Sequence, residues 1–152
     1  MAPSASASIT FAQDVLLHGE LMIYDLVGNA VVTLTVGDAT TSGQLENQGH
    51  IVAGVMMPQQ TGGGENTAII QAQLGGSGDL TVLGDLTLDG QGSVTHQVTG
   101  LVTLGQYEDA VLGSSTTAAN LTLGAGDQLL VGEEGRLVTD AANVQTLQLV
   151  AS

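Results

Sequence analysis

The sequence contains no cysteine and no tryptophan, and Arg136 is its only basic side chain apart from three histidines. Without cysteine the chain forms neither disulfides nor thiolate metal sites, and it has no cysteine nucleophile. Nucleic acid and anionic membrane surfaces are bound through Lys and Arg, so we expect the protein to bind no nucleic acid and no membrane. The aromatic residues are only Phe11, Tyr24 and Tyr107. The core must therefore be aliphatic, and large surfaces for stacking ligands are scarce.

Acidic residues dominate what little charge there is. Fifteen Asp and Glu residues against one Lys or Arg give a formal net charge of −14, although charged residues make up only 11% of the chain. The mean hydropathy is +0.30. Much of the surface is then uncharged, and soluble monomers seldom expose large apolar patches. We therefore expect burial against sister subunits of a homo-oligomer or against a host shell, with the net charge serving solubility.

The chain has the length of one domain, at 152 residues. Its first ten residues, MAPSASASIT, have neither the basic nor the apolar region of a secretory signal peptide. No stretch approaches the roughly 20 apolar residues of a membrane span. We expect residues 1–8, rich in Ala and Ser, to form an extended N-terminal arm. Residues 9–152 are predicted to be a single all-β domain with a possible internal division near the glycine-rich residues 59–65.

Short β-rich runs punctuated by glycine predict the fold class. The 22 glycines interrupt every window in which a helix could form, and aliphatic residues alternate with Thr, Gln and Asp. We expect little or no helix, with at most one turn at residues 106–112. Gly28-Asn29 and residues 132–135 have the chemistry of hairpin turns, and we expect one compact domain. The predicted strands are residues 9–11, 15–17, 20–26, 30–36, 49–57, 67–74, 80–82, 85–88, 93–97, 101–104, 110–113, 120–123, 128–131, 136–139 and 144–150.

A short repeat favours a second architecture. Residues 78–83 (GDLTVL) and 84–89 (GDLTLD) repeat with a period of six, and residues 120–124 (NLTLG) echo them later. Hexad repetition is typical of β-solenoids, in which small coils stack and bury Leu and Val in a narrow core. A partial β-solenoid is therefore the alternative fold.

No metal or cofactor is predicted. The histidines have no short-range partner at the spacing of a ligand cluster. Three aspartates near glycines could offer oxygen ligands to Ca²⁺, but their spacing matches no calcium loop, and Asp is common as a turn cap. The residues concerned are His18, His50 and His96, and Asp79, Asp85 and Asp89.

The sequence also predicts a protein that is not an enzyme. It has no G-x-S-x-G nucleophile elbow. The run Gly62-Gly63-Gly64 lacks the Lys-Ser/Thr of a phosphate-binding loop. A pair of carboxylates for glycoside hydrolysis is available by count alone, but sugar clefts usually offer aromatic platforms, which are scarce here.

The stretch Gly126–Thr139 resembles a strand-turn-strand pattern, G-D-x-L-y-V-x-x-x-G-x-L-v-T, of tailed-phage head decoration (cement) proteins, and it covers about a tenth of the chain. The resemblance implies a small β-sandwich or barrel-like subunit, commonly trimeric. Such a subunit lies on the outer capsid surface of the virion, binds the major capsid protein and stabilises the icosahedral shell by bridging capsomers.

Two other functions remain open, a receptor- or glycan-binding module of a fibre or adhesin and a subunit of a self-assembling extracellular filament. Scarce aromatic and basic residues favour capsid decoration over the binding module. We expect the arm, the Met-rich apolar strand and the single arginine to contact partners. The predicted interface residues are Ala2, Pro3, Ser4, Ile9, Ile51, Val52, Val55, Met56, Met57 and Arg136.

Overall fold

The computed structural model describes residues 6–23, 31–38, 40–53, 67–82, 85–104, 108–109, 113–114, 120–131 and 136–139. Within these ranges every regular element is a β-strand, which confirms the all-β prediction. Six strands open the chain: β1 (Ser6–Phe11), β2 (Val15–Leu17), β3 (Glu20–Ile23), β4 (Val31–Val36), β5 (Gln44–Asn47) and β6 (His50–Ala53).

Eleven more strands follow along the chain. Six more are β7 (Thr67–Gln71), β8 (Gln73–Gly75), β9 (Asp79–Val82), β10 (Asp85–Leu88), β11 (Thr95–Val98) and β12 (Leu101–Leu104). A short antiparallel pair comes next, and three strands end the described chain. These are β13 (Glu108–Asp109), β14 (Gly113–Ser114), β15 (Asn120–Leu123), β16 (Gln128–Val131) and β17 (Arg136–Thr139).

The strands wind as a parallel β-solenoid of five coils, each with three sides. One sheet has the order β1-β4-β7-β10-β15 and another the order β3-β6-β9-β12-β17. The remaining side consists of β2-β5-β8 and, farther along, β11-β16. Apart from the antiparallel pair β13 and β14, consecutive strands therefore lie in different sheets, and each pairs in parallel with its counterpart in a neighbouring coil. This is the solenoid alternative, extended along the described chain.

The two predicted hairpins are wrong. Strands β3 and β4, which flank Gly28-Asn29, belong to different sheets, and so do β16 and β17, which flank residues 132–135. The turns themselves lie outside the described residues. Gly and Asn suit the corner of a coil as well as a hairpin, because both positions favour residues that tolerate unusual backbone angles. Turn chemistry alone does not decide which strand becomes the partner.

The hexad repeat marks two consecutive sides of the coil. Its copies contain β9 and β10, which lie in different sheets. The later echo, β15, stacks directly on β10, with Leu86 opposite Leu121 and Leu88 opposite Leu123. The echo therefore occurs where the chain returns to the same side one coil later.

The core consists of columns of aliphatic side chains that run along the solenoid. Residues alternate between the interior and the surface along most strands, as in the pattern eBiB of β9,. In-register pairing then stacks inward residues of successive coils. One such column contains Ile9, Leu34, Ile70, Leu88 and Leu123.

The corner between the second and third sides is packed backbone against backbone. Asn47 is buried there, its Nδ2 donates to the Asp79 carbonyl at 3.0 Å, and its Oδ1 accepts from the Gly49 amide at 3.0 Å. The Asn47 carbonyl accepts from the Gly78 amide at 2.7 Å. Gly76 has φ +111°, and a Cβ there would lie 2.1 Å from the Asn47 carbonyl oxygen. This corner requires glycine and asparagine for reasons that only stacking reveals.

Strand positions agree with the prediction at most sites, with four differences. In place of the predicted strand 110–113 the structure has the antiparallel pair β13 and β14, and residues 108–109, within the segment where one helical turn was allowed, form a strand. The predicted strand 67–74 is divided at Ala72, and β5, which has only one apolar residue, was not predicted. Ser6, Ala7 and Ser8, assigned to the arm, belong to β1 and pair with β4. Low-complexity Ala and Ser have weak strand propensity, so only the neighbouring coil reveals this strand. Residues 1–5, the predicted division near 59–65 and the predicted strand 144–150 lie outside the described residues.

Candidate functional site

The first coil, formed by β1, β2 and β3, is one edge of the three sides in the described chain, and the fifth coil is the other. Each of its strands pairs with a strand of the second coil, and among the described strands none lies on the opposite side. An edge of this kind presents a row of backbone N–H and C=O groups that can pair with another chain. The first coil is the candidate site for contacts between molecules because, among the described side chains, it also exposes the large apolar ones.

The apolar columns of the core are open at this coil. Ile9 is 59% exposed, whereas Leu34, its neighbour in the same column, is 6% exposed. Phe11 is 45% exposed, whereas Val36 opposite it is fully buried. These two side chains occupy core positions that have a neighbouring coil on one side only. Burying a large apolar side chain stabilises by about 1.5–3 kcal/mol, so covering this end would release several kcal/mol.

The opposite end of the described columns is different. Leu121, Leu123 and Leu129 of the fifth coil are buried. Among the side chains that the structure describes, large apolar exposure is confined to the first coil.

Two further side chains of the first coil point away from the core. Leu16 on β2 is 54% exposed and Met22 on β3 is 43% exposed, and each alternates with inward-facing neighbours. Beside them, Glu20 on β3 lies 3.6 Å from the imidazole of His50 on β6. The first coil thus has apolar residues at its end and on two of its sides.

The structure separates the predicted interface residues. Ile9 is exposed at the open end, but Ile51 and Val52 are buried within the single chain, which leaves their side chains little surface for a partner. Ile51 fills the core opposite Leu80. Arg136 lies in β17. Ala2, Pro3, Ser4, Val55, Met56 and Met57 lie outside the described residues.

Sequence reasoning missed a buried polar pair, His96 and Asp127, which are 31 residues apart and 3.0 Å from each other (Nε2 to Oδ2). Both side chains are fully buried. The His96 Nδ1 accepts from the Leu74 amide at 3.1 Å. Because Nδ1 must carry a lone pair to do so, the proton lies on Nε2 and is donated to Asp127.

Asp127 is held by the backbone as well as by His96. Its Oδ2 accepts from the Gly90 amide at 2.7 Å, and its Oδ1 accepts from the Val94 amide at 3.2 Å. The pair thus satisfies amides of two different coils where β8 and β11 meet without a regular ladder. Each ring nitrogen of His96 and each carboxylate oxygen of Asp127 has a partner, and neither side chain faces solvent. The pair is therefore a structural lock inside the fold.

Two of the aspartates considered for Ca²⁺ act as caps. Asp79 Oδ1 accepts from the Leu101 amide at 2.8 Å, and Asp89 Oδ1 accepts from the Gln91 amide at 2.8 Å. In the described ranges, no group of three or more His, Asp or Glu residues is placed to hold a metal ion. Those ranges also contain no helix long and apolar enough to cross a membrane.

No protein-family model matches the chain, and no match was found among curated proteins or solved structures.

Proposed function

We propose that this protein is a non-enzymatic structural module that joins an assembly end-on, through the open first coil of its β-solenoid. The observation that carries the proposal is the contrast within single core columns. Ile9 and Phe11 are exposed where Leu34 and Val36, in the same columns, are buried. A solenoid coil that is not capped needs another surface to cover its apolar end.

The first occupant to test is a second copy of this chain, packed first coil against first coil. Among the described residues only one end of the columns is open, so identical open ends would meet and close the assembly. Such an isologous contact gives a discrete dimer rather than an open filament. The contact would bury the exposed apolar side chains and satisfy the edge of β1.

Charge opposes this association and provides a signature for it. Two chains of net charge −14 repel each other, and salt shortens the range of that repulsion from about 10 Å at 0.1 M to about 3 Å at 1 M. Apolar burial is not weakened by the same salt. The dimer should therefore strengthen as sodium chloride concentration rises.

The test is sedimentation velocity over a wide range of protein and salt concentrations on the full chain, Ile9→Lys and Thr10→Lys. Thr10 is the matched control, because it is exposed in the same strand and lies opposite Thr35 on the outer side. We expect the wild type and Thr10→Lys to associate and Ile9→Lys to remain monomeric. A monomeric wild type at every condition, or equal loss in both variants, would refute the proposal. Circular dichroism checks that each variant is folded.

The second candidate is the capsid decoration protein that Gly126–Thr139 resembles. The observation that favours it is the outward exposure of Leu16 and Met22 beside the open end, which would let the first coil contact a shell from its end and its side. In this proposal a homotrimer decorates the outer surface of an icosahedral phage capsid and binds the major capsid protein.

Light scattering on size-exclusion peaks separates the two candidates. A discrete trimer that survives Ile9→Lys supports the decoration protein, because its open end is then reserved for the shell. A dimer that is lost in Ile9→Lys supports end-on assembly of the chain with itself.

A further inference from the structure

The surface formed by β5, β8 and β11 contains a groove of about 440 Å³. This volume lies within the roughly 300–1,000 Å³ that is typical of small-molecule sites. The groove lies where three successive coils present their outer faces, away from the open end of the columns. Its lining consists of Gln44, Leu45, Glu46, Gln73, Leu74, Gly75, Gly76, Ser77, Thr95, Gln97 and Thr99.

The polar side chains of the groove are almost all uncharged. Gln44 and Gln97 each offer an amide that both donates and accepts hydrogen bonds, and the hydroxyls of Ser77 and Thr95 do the same. Gln73 Nε2 already donates to the Thr95 carbonyl at 3.1 Å and Thr99 Oγ1 to the Gly76 carbonyl at 3.2 Å, so these two side chains offer a ligand their remaining capacity. Glu46 is the single charged residue in the lining. The groove therefore offers a ligand several groups that can both donate and accept hydrogen bonds, and only one charged side chain.

Gly75 creates the space. It is the outward residue between Glu46 and Gln97, and a Cβ there would meet Glu46 Oε2 at 3.6 Å and the Gln97 carbonyl at 3.9 Å. Both distances are ordinary contacts, so a side chain would fit the fold. Glycine at this position weakens a strand through its backbone entropy and lack of side-chain packing, and the gain is an open floor at the centre of the groove.

We propose that this groove binds a neutral, polyhydroxylated ligand, a carbohydrate chain. Each sugar hydroxyl donates and accepts at once, which matches the amides and hydroxyls of the lining. A phosphate or carboxylate ligand would find no cation in the lining and a chain of net charge −14. An apolar ligand would leave the glutamine side-chain amides without hydrogen-bond partners, and a cationic ligand would find only the carboxylate of Glu46 to pair with.

The expected affinity is low. The lining contains no aromatic side chain on which a sugar ring could stack, so binding depends on hydrogen bonds that compete with water. We expect dissociation constants on the order of 1 mM. A weak site of this kind becomes effective when several copies act together.

The experiment is ¹⁵N nuclear magnetic resonance of the full chain titrated with maltoheptaose, cellopentaose and mannopentaose, and with spermidine and citrate as charged probes. We expect at least one neutral probe to shift the side-chain amides of Gln44, Gln73 and Gln97. Gly75→Thr should weaken that binding at least tenfold with the rest of the spectrum retained. Thr87→Gln, on the outer face of a different sheet, is the control and should bind as the wild type does.

Three results would overturn the proposal: no response to any neutral probe, a response to spermidine or citrate alone, or unchanged binding in Gly75→Thr. None of them bears on end-on assembly, because the groove does not include the first coil. Conversely, the groove proposal stands if Ile9→Lys leaves the mass of the protein unchanged.

Discussion

The buried pair of His96 and Asp127 allows a quantitative test of what holds the later coils together. The Asp127 carboxylate accepts from the Gly90 amide, the Val94 amide and His96 Nε2. Asp127→Asn keeps the size of the side chain but leaves one acceptor oxygen for three donors. If that oxygen faces Gly90 and His96, the new amide N–H₂ faces the Val94 N–H. In the flipped orientation the N–H₂ group faces the Gly90 amide and His96 Nε2 instead.

At least one donor therefore loses its acceptor in Asp127→Asn, either the part-buried Val94 amide or the buried Gly90 amide and His96 Nε2. An unsatisfied buried donor costs about 1–3 kcal/mol, so we expect the free energy of unfolding to fall by about that amount. In Asp127→Ala all three donors lose their acceptor. Because each unsatisfied buried donor costs about 1–3 kcal/mol, we expect Asp127→Ala to lose more stability than Asp127→Asn, a large part of the ~5–15 kcal/mol stability of a domain.

Asp79→Asn is the matched control, because the same substitution there has little to disturb. Asp79 is exposed, and its carboxylate accepts from the Leu101 amide through one oxygen, which Asn retains. We expect a change within ~0.5 kcal/mol, as for most surface substitutions.

Urea unfolding followed by far-ultraviolet circular dichroism measures these differences from the shift in midpoint at a common slope. Hydrogen exchange of the backbone amides of residues 85–104 and 120–131 tests whether the loss of stability lies in the fourth and fifth coils. If Asp127→Asn is as stable as Asp79→Asn, the hydrogen bonds of the pair contribute nothing net, and the reasoning fails. If exchange rises only in the first coil, the lock acts elsewhere than we infer.

Two further predictions concern packing. Ile70→Ala, in the column between Leu34 and Leu88, should lower the free energy of unfolding by about 2–5 kcal/mol. In the same urea assay the partly exposed neighbour change Ile69→Ala should cost clearly less, and equal costs would contradict the inward assignment of Ile70. Gly76→Ala should cost at least about 1–3 kcal/mol because of its positive φ and the Asn47 carbonyl,. Gly92→Ala has no atom within 4 Å of the new Cβ, and a Gly76→Ala midpoint no lower than that of Gly92→Ala would contradict the corner geometry.

Strand positions could be predicted from the sequence because alternation is local. Val15–Leu17, Asp85–Leu88 and Leu101–Leu104 appear with the predicted bounds. The β5 segment, QLEN, escaped prediction because it has one apolar residue and ends in an asparagine buried for its hydrogen bonds. No local pattern distinguishes such an asparagine from one in a loop.

The candidate sites were less predictable than the strands. Ile9 was expected at an interface and is exposed, but Ile51 was expected there and fills the core. Both are apolar residues in β-rich runs. Ile51 has a neighbouring coil on both sides, whereas Ile9 has one on one side only. That difference depends on which coil a strand belongs to and not on the residue or its neighbours in sequence.

By itself, the sequence determined an all-β chain with an aliphatic core. The two-residue period and the frequent glycines are local features that indicate strands, and the scarcity of aromatic residues leaves only aliphatic side chains for the core. Only the tertiary structure decided that these strands coil in parallel. A strand buries the same alternating face whether its partner comes from a hairpin or from the next coil, and a corner uses the same Gly and Asn as a hairpin turn. The open first coil, the lock between residues 31 apart and the groove at Gly75 all follow from that choice of partner.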